Sequence, residues 1–236
     1  MTAAPVHLAT RNGEVLLTTL ARARGHDLVR RPGFVALNGP ALLRALVLAP
    51  DPDADDLAAL ARLVADAPGR VTVEDPFGTV DAAPWRLAPS RLPMMVRPPS
   101  PLPAPALDVT TATTAEELSA VERTVLDGFP LRGLRPGEAF PPALLDETAL
   151  RFHLVRRAGV VAGACLTVEG DSAAGLYWVT TLPEHRSRGI GRALAHAALN
   201  GVDKPMTLTA TDAGAPLYAS LGFETASFAT WWFGNR

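Results

Sequence analysis

Apolar positions along the chain switch between a period of three to four residues and a period of two, and the switches outline two halves of similar layout. In the first half, Gly13 to Arg24 carries Val15, Leu16, Leu17, Leu20 and Ala21 at helical spacing, which predicts an amphipathic helix. Asp27 to Arg31 and Phe34 to Leu37 flank the turn pair Pro32-Gly33 and predict a hairpin. Leu43 to Leu48 is a further strand candidate. The acidic run Asp51 to Asp56 leads into a helix with Leu57, Leu60, Leu63 and Val64 on one side. Val71 to Val73 and Pro93 to Val96 read as two more short strands.

Arg97 to Leu107, RPPSPLPAPAL, holds five prolines and reads as an extended connector. Beyond it, Leu107 to Val109 predicts a strand and Thr114 to Asp127 a helix, with Thr114 and Glu117 at capping-box spacing. Phe129 to Phe140, FPLRGLRPGEAF, is a polar loop with apolar anchors, and a short helix follows from Pro142 to Asp146. Leu150 to Arg156 and Val160 to Glu169 alternate around Ala158-Gly159, predicting a hairpin. Gly175 to Thr181 is a third strand, and the aromatic run Phe228 to Phe233 a last one. The expected domains are therefore 1–97, a linker at 98–106, and 107–236.

The most informative stretch joins the third strand to a helix. Pro183 ends the strand, and from Ile190 the pattern is helical through Leu194, Ala197 and Ala198 to a stop at Asn200-Gly201. The turn between them, Glu184 to Gly189, and the start of the helix hold two glycines and three arginines. N–H groups at a helix start lack intrahelical partners, and Gly189 and Gly191 have no Cβ to hold a ligand off. With Arg186, Arg188 and Arg192, these donors favour a phosphate or pyrophosphate. A dinucleotide-binding turn of the Rossmann type fits poorly, because Leu194 stands at its third small position. The corresponding turn of the first half has no glycine and four aspartates, Asp51, Asp53, Asp55 and Asp56. Carboxylates cap a helix but repel an anion there.

Composition narrows the classes. The chain has 236 residues and a formal net charge of -2, which gives no reason to expect nucleic acid or an anionic membrane as partner. Cys165 is the single cysteine, so an internal disulfide and a cysteine-based metal cluster are excluded; no metal is expected. No apolar run reaches spanning length and the N-terminus lacks a secretory layout, which predicts a cytoplasmic protein.

Arg186, Gly189 and Gly191 match the pyrophosphate motif of the GCN5-related N-acetyltransferases (GNAT), which has Arg or Gln, two residues, Gly, one residue, then Gly or Ala. Met206 to Glu224 resembles the next strand and helix of that family, with Leu217-Tyr218 followed by Gly222-Phe223. The resemblance implies a mixed α/β fold of the acyl-CoA N-acyltransferase type for 107–236; the echoed order of elements in the first half predicts a smaller, degenerate copy before it, with an unrelated small α+β domain as the alternative. It implies acetyl-CoA as cosubstrate and a small-molecule or peptide amine as acceptor. Backbone groups of Val179, Thr180 and Thr181 would hold the pantetheine arm, and Arg186, Ser187, Arg188, Gly189, Ile190, Gly191 and Arg192 the pyrophosphate. Tyr218 corresponds to the tyrosine that protonates the departing thiolate; a phenol, with a reference pKa of about 10, can do so at neutral pH. The loop after the first helix would line the acceptor site.

The family often has asparagine where this chain has Thr211. No carboxylate lies in Gly175 to Thr181, so Glu169, His153 and Glu138 are the candidate bases, in that order. Cys165 is expected to be a packing residue. Trp231 and Trp232 are candidates for core, for a homodimer contact or for a wall of the acceptor pocket. A non-catalytic acyl-CoA-binding module is the alternative reading, and an interaction scaffold with a structural turn the third.

Overall fold

The computed structural model describes residues 3–129 and 134–235. In chain order the elements are α1 (Ala3–Arg24), β1 (Asp27–Arg30), β2 (Phe34–Asn38), β3 (Leu42–Val47), α2 (Ala54–Asp66), β4 (Arg70–Asp75), β5 (Ala88–Arg97), β6 (Thr110–Thr111), α3 (Ala115–Gly128), β7 (Leu150–Arg157), β8 (Val160–Glu169), β9 (Ala174–Thr181), α4 (Ile190–Leu199), β10 (Met206–Thr209), α5 (Ala215–Ala219) and β11 (Glu224–Asn235). Short 3-10 turns stand at Ala83–Trp85, Pro142–Asp146 and Pro183–His185. By packing, the chain forms two compact units. One takes the residues up to Val96 together with those from Thr207 onward, and the other spans Arg97–Met206.

In the first unit the strand order is β1-β2-β3-β4-β11-β5-β10. The first three strands form an antiparallel meander, and α2 carries the chain from β3 to a parallel β4. The twelve-residue β11 then lies antiparallel to both β4 and β5. Its length exceeds the expected Phe228 to Phe233, because pairing on both sides gives even its polar ends hydrogen-bond partners. Trp232, opposite Val73, joins Phe34, Leu60, Val64 and Val71 in the core, while Arg44 stands over the Trp231 ring at 6.0 Å. Trp232 is therefore a core residue.

The second unit has the order β9-β8-β7-β6, with each neighbouring pair antiparallel. Both units place a helix, a three-stranded antiparallel meander and a second helix in the same sequence. The packing break after Val96 falls where the proline-rich stretch begins. The last thirty residues pack with the first unit, an arrangement that a division at 107 does not contain.

Two local expectations differ from the structure. The first helix starts at Ala3, well before Gly13, and it extends far enough to bury Val6, whose carbonyl accepts from the Thr10 hydroxyl at 2.8 Å. Leu107 to Val109 is no strand; Thr110 and Thr111 are the residues that reach β7, opposite Leu154 and His153. The proline-rich stretch is nonetheless tied down, with His196 Nδ1 3.0 Å from the Pro103 carbonyl.

The start of α3 is held by its own side chains. Thr114 Oγ1 accepts from the Glu117 N–H at 3.2 Å, and Glu117 Oε2 accepts from the Thr113 N–H at 2.9 Å. The Thr113 N–H, with the Thr114 N–H, the Thr113 hydroxyl and Arg156, holds the Glu117 carboxyl below its ordinary pKa. Thr114→Ala is expected to lower stability by about 1 kcal/mol, measured as a shifted urea midpoint with unchanged slope.

Candidate active site

β9 is an irregular strand, and the irregularity sits where the chemistry is expected. Ala164 pairs with Thr180 and Leu166 with Tyr177, so Trp178 and Val179 together oppose the single residue Cys165. This is a β-bulge. Trp178 takes the additional residue's turn at φ 50°, a left-handed conformation that an aromatic residue adopts at a cost of about 1 kcal/mol or more. The bulge re-aims the strand, putting Tyr177 and Thr180 on one face although they are three apart. The Thr180 hydroxyl closes it by donating to the Trp178 carbonyl at 2.9 Å. β8 holds the strand end beyond it, with Thr181 opposite Gly163 and the Leu182 N–H donating to Ala162 O at 3.0 Å.

Two glycines let helices approach this strand pair from opposite faces. A Cβ on Gly163 would stand 2.5 Å from Ile190 Cγ2 and 2.8 Å from Thr180 O, so only glycine lets the first turn of α4 rest on β8. A Cβ on Gly128 would stand 2.4 Å from Thr180 Cγ2, which brings the last turn of α3 onto the other face. The glycine in β8 was readable as a close-approach signal, and sequence reasoning missed it.

From Thr181 the chain passes through the 3-10 turn Pro183–His185 into Arg186, Ser187 at φ 59° and Gly189 at φ 77°. Gly189 is the N-cap of α4 and a Cβ there would meet nothing within 4 Å. The Ala193 N–H is the first to close a helical turn, on Gly189 O at 2.9 Å. The helix-start N–H groups before it thus have no intrahelical acceptor. Arg186, Ser187, Arg188, Gly189 and Arg192 are exposed, Gly191 is half-buried, and Ile190 is buried against β8. His185 Nδ1, in the same turn, is buried without a hydrogen-bond partner. An open glycine, helix-start N–H groups and three arginines fit a pyrophosphate.

On the α3 face a carboxylate absent from the sequence reading organises the loop expected to line an acceptor site. Residues 130–133 of that loop lie outside the described residues. Beyond them, buried Glu122 of α3 accepts three backbone N–H groups, from Gly137 at 2.7 Å, Ala139 at 2.8 Å and Phe140 at 2.9 Å. Phe140 then packs on Phe152 and on Trp178, with ring centroids 5.1 and 5.2 Å apart. A glutamate within a helical pattern reads as a solvated residue, so no sequence signal marked Glu122.

The candidate bases are not brought together. Glu169 pairs with Ala174, the first residue of β9, whereas Thr181 is the last. At about 3.3 Å per residue that separates Glu169 from the strand end by roughly 20 Å. It is also engaged by Arg151 at 3.2 Å and Lys204 at 3.7 Å. His153 lies on the α4 face beside Cys165, buried, with Nε2 3.1 Å from the Thr167 hydroxyl. Burial, helped by the charge of Arg151, lowers its pKa to about 4. Glu138 is exposed in the segment anchored by Glu122, and its Oε2 accepts the Arg135 N–H at 3.0 Å. Cys165 is fully buried near the Leu194 carbonyl, and desolvation raises its thiol pKa far above the ordinary value. It is a packing residue.

Tyr218 belongs to the first unit, in α5, where it is buried with its ring edge-on to Phe223 at 5.8 Å. Val179 and Thr181 are half-buried and Thr180 is buried. Thr211, at the position where asparagine is often found, holds the start of α5 by accepting the Gly214 N–H on its hydroxyl at 3.2 Å.

The matching corner of the first unit is filled by the protein itself. Asp53 caps α2, accepting the Asp56 N–H at 2.7 Å, and buried Asp56 accepts from the Gly33 N–H at 2.6 Å and from Arg31. The Arg31 bond keeps the Asp56 carboxyl below its ordinary pKa. Negative charge already occupies this helix start.

Residues 149–225 match the family model for the acetyltransferase (GNAT) domain. No curated protein matches the sequence. Among solved structures, a GCN5-related N-acetyltransferase from Kribbella flavida superposes with a TM-score of 0.65 at 20% identity, covering 96% of this chain and 95% of that one. A putative GNAT-family acetyltransferase from Novosphingobium aromaticivorans gives 0.61 at 20% identity over 89% and 91%. A tandem GNAT protein from the clavulanic acid biosynthesis pathway gives 0.53 at 18% identity over 88% and 81%. These likenesses are of fold. Among the described residues, no helix is long and apolar enough to cross a membrane, and no cluster of His, Cys, Asp or Glu could hold a metal ion.

The lowered pKa of His153 has a measurable consequence. The unfolded histidine takes its proton near pH 6.5 and the folded one near 4, so between those values the unfolded chain binds the additional proton. The contribution to stability is complete above about pH 6.5 and is lost as pH falls toward 4. His153→Gln is expected to flatten that part of a urea-stability profile against pH; a slope equal to that of the wild type would contradict the assignment.

Proposed function

We propose that the protein, whose residues 149–225 match the acetyltransferase (GNAT) domain model, transfers the acetyl group of acetyl-CoA to an amine by direct attack. One observation carries the reading: a bulged strand end, an open glycine turn and the start of α4 follow one another without a break. They supply fixed backbone donors in line for a pantetheine arm and a pyrophosphate. Such donors suit the job because they need no reorganisation when charge develops.

In the proposed reaction the amine nitrogen bonds to the acetyl carbon and the carbonyl becomes a transient oxyanion. As that oxyanion collapses, the carbon–sulfur bond breaks and the coenzyme leaves as thiolate. Backbone groups of Val179, Thr180 and Thr181 hold the arm and one N–H polarises the carbonyl. Arg186 to Arg192 bind the pyrophosphate, chiefly through main-chain N–H groups. Tyr218 gives its phenolic proton to the thiolate, and the nitrogen loses a proton to a base or to water. Of the three candidate bases, Glu138 takes precedence, because its segment is anchored beside the bulge. Glu169 is engaged at the other end of the sheet, and His153 is too weak a base when buried. The acceptor is a small-molecule or peptide amine.

The second reading is an acyl-CoA-binding module without turnover, favoured by the absence of a carboxylate on β9. Calorimetry with acetyl-CoA is expected to give binding at about the micromolar level or tighter, with an unrelated dinucleotide as control. Gly191→Glu should abolish that binding without unfolding the protein; retained affinity would move the site elsewhere.

Thiol release in an amine screen then separates the two readings, since only the enzyme releases coenzyme A in step with an amine. In that assay Tyr218→Phe should lower kcat on the order of a hundredfold. Unchanged turnover at neutral pH would remove Tyr218 as the acid.

A further inference from the structure

The α3 face of the second unit carries a chain of contacts that a packing role alone does not require. A carboxylate is costly to bury unless its oxygens are satisfied. Glu122, 1% exposed, directs both oxygens at one stretch of backbone: Oε2 accepts from Gly137, and Oε1 from Ala139 and Phe140. Charge-assisted bonds of this kind are among the stronger ones available to a side chain. They fix four consecutive residues against α3. Gly137 needs its glycine, at φ 90°, and Ala139 and Phe140 are buried behind it.

The segment held in this way ends on the strained residue of β9. Phe140 lies between Phe152 of β7 and Trp178 of the bulge, with centroids 5.1 and 5.2 Å away. A left-handed aromatic residue persists only where its surroundings over-determine it. Here the surroundings include the Thr180 hydroxyl on the Trp178 carbonyl and a ring from a loop, and the loop is set by Glu122.

We infer that Glu122 is a positioning residue that couples the loop at 137–140 to the β9 bulge, so that the loop and the thioester-holding backbone of Val179 to Thr181 share one geometry. The reactive part of this inference rests on the acetyltransferase reading; the coupling itself does not. Glu122→Gln replaces one accepting oxygen by an NH2 group, which meets a backbone N–H donor with another donor. Phe140→Leu leaves the Glu122 bonds in place and removes the ring from Trp178. The two variants interrupt the chain at different links.

Amide hydrogen exchange on the full protein reads both links. Glu122→Gln should speed exchange at Gly137, Ala139 and Phe140 by about tenfold or more, and raise it also at Tyr177 to Thr180. Phe140→Leu should raise it at Tyr177 to Thr180 alone. Wild-type exchange at the bulge in both variants would overturn the coupling, even if the loop loosens in the first. If Glu122→Gln does not fold, Phe140→Leu still decides the link to the bulge.

Steady-state kinetics tests the functional part. With the amine that supports turnover by the wild type, Glu122→Gln should lower kcat about tenfold with the KM for acetyl-CoA within about twofold, because the pyrophosphate turn on the other side of the sheet is untouched. Equal kinetic constants alongside faster exchange would reduce Glu122 to a structural residue. Failure of the wild type to bind acetyl-CoA would instead sink the acetyltransferase reading, and the exchange experiment would still judge the coupling.

Discussion

The second unit depends on a mismatch of one residue between two neighbouring strands. Cys165 on β8 faces both Trp178 and Val179 on β9, and the remaining features of the candidate site adapt to that count. Without the additional residue, β9 would alternate regularly and Tyr177 and Thr180 would point to opposite faces. With it, Thr180 turns toward α3, where Gly128 leaves room for its methyl group. The conformational cost falls on Trp178 and is met by aromatic packing from Phe140, which is placed by hydrogen bonds to a buried carboxylate. Strain at a site and order in the loop beside it are thus two aspects of one arrangement.

The two units use the same succession of elements for opposite electrostatic ends. At the start of α4 the N-cap is a left-handed glycine with no side chain, flanked by exposed arginines. At the start of α2 the N-cap is Asp53, and Asp56 in the first turn reaches across to Arg31 and Gly33. A helix start can satisfy its N–H groups with its own carboxylates or leave them for an anion from outside, and it cannot do both at once. The α2 corner is closed by its own sequence, which leaves the proposed pyrophosphate binding to the second unit.

Much of this layout was legible before any coordinates. The hairpins at Pro32-Gly33 and Ala158-Gly159, the cap at Thr114 and the turn at Gly189 all rest on local rules, and local rules act on residues near each other in sequence. What escaped was non-local. The bulge at Trp178 carries no glycine or proline to mark it and exists only because of the register with β8. Glu122 meets its partners 15 to 18 residues later, and in the helix pattern it is one more polar position. The placing of β11 between β4 and β5 has the same character, since nothing in Phe228 to Phe233 names its partners. Alternation did assign Glu169 to the face of Cys165, but a face is not a position along the strand, and the register puts it at the far end.

That last point bears on how the proposed reaction distributes its work. A strongly basic side chain beside the thioester would have to be buried near a strand whose backbone donors await a developing negative charge, and a fixed carboxylate there would oppose the oxyanion it is meant to help form. β9 offers no such group: its side chains are apolar, aromatic or hydroxyl. The stabilisation that the reaction needs would then come from main-chain N–H groups held rigid by the bulge. Proton removal would fall to a solvated group such as Glu138 or to water, where an exposed acid–base site costs little. In such an arrangement the rate depends less on any one base than on how firmly the strand end is held, which is why the contacts behind the bulge matter alongside the motif in front of it.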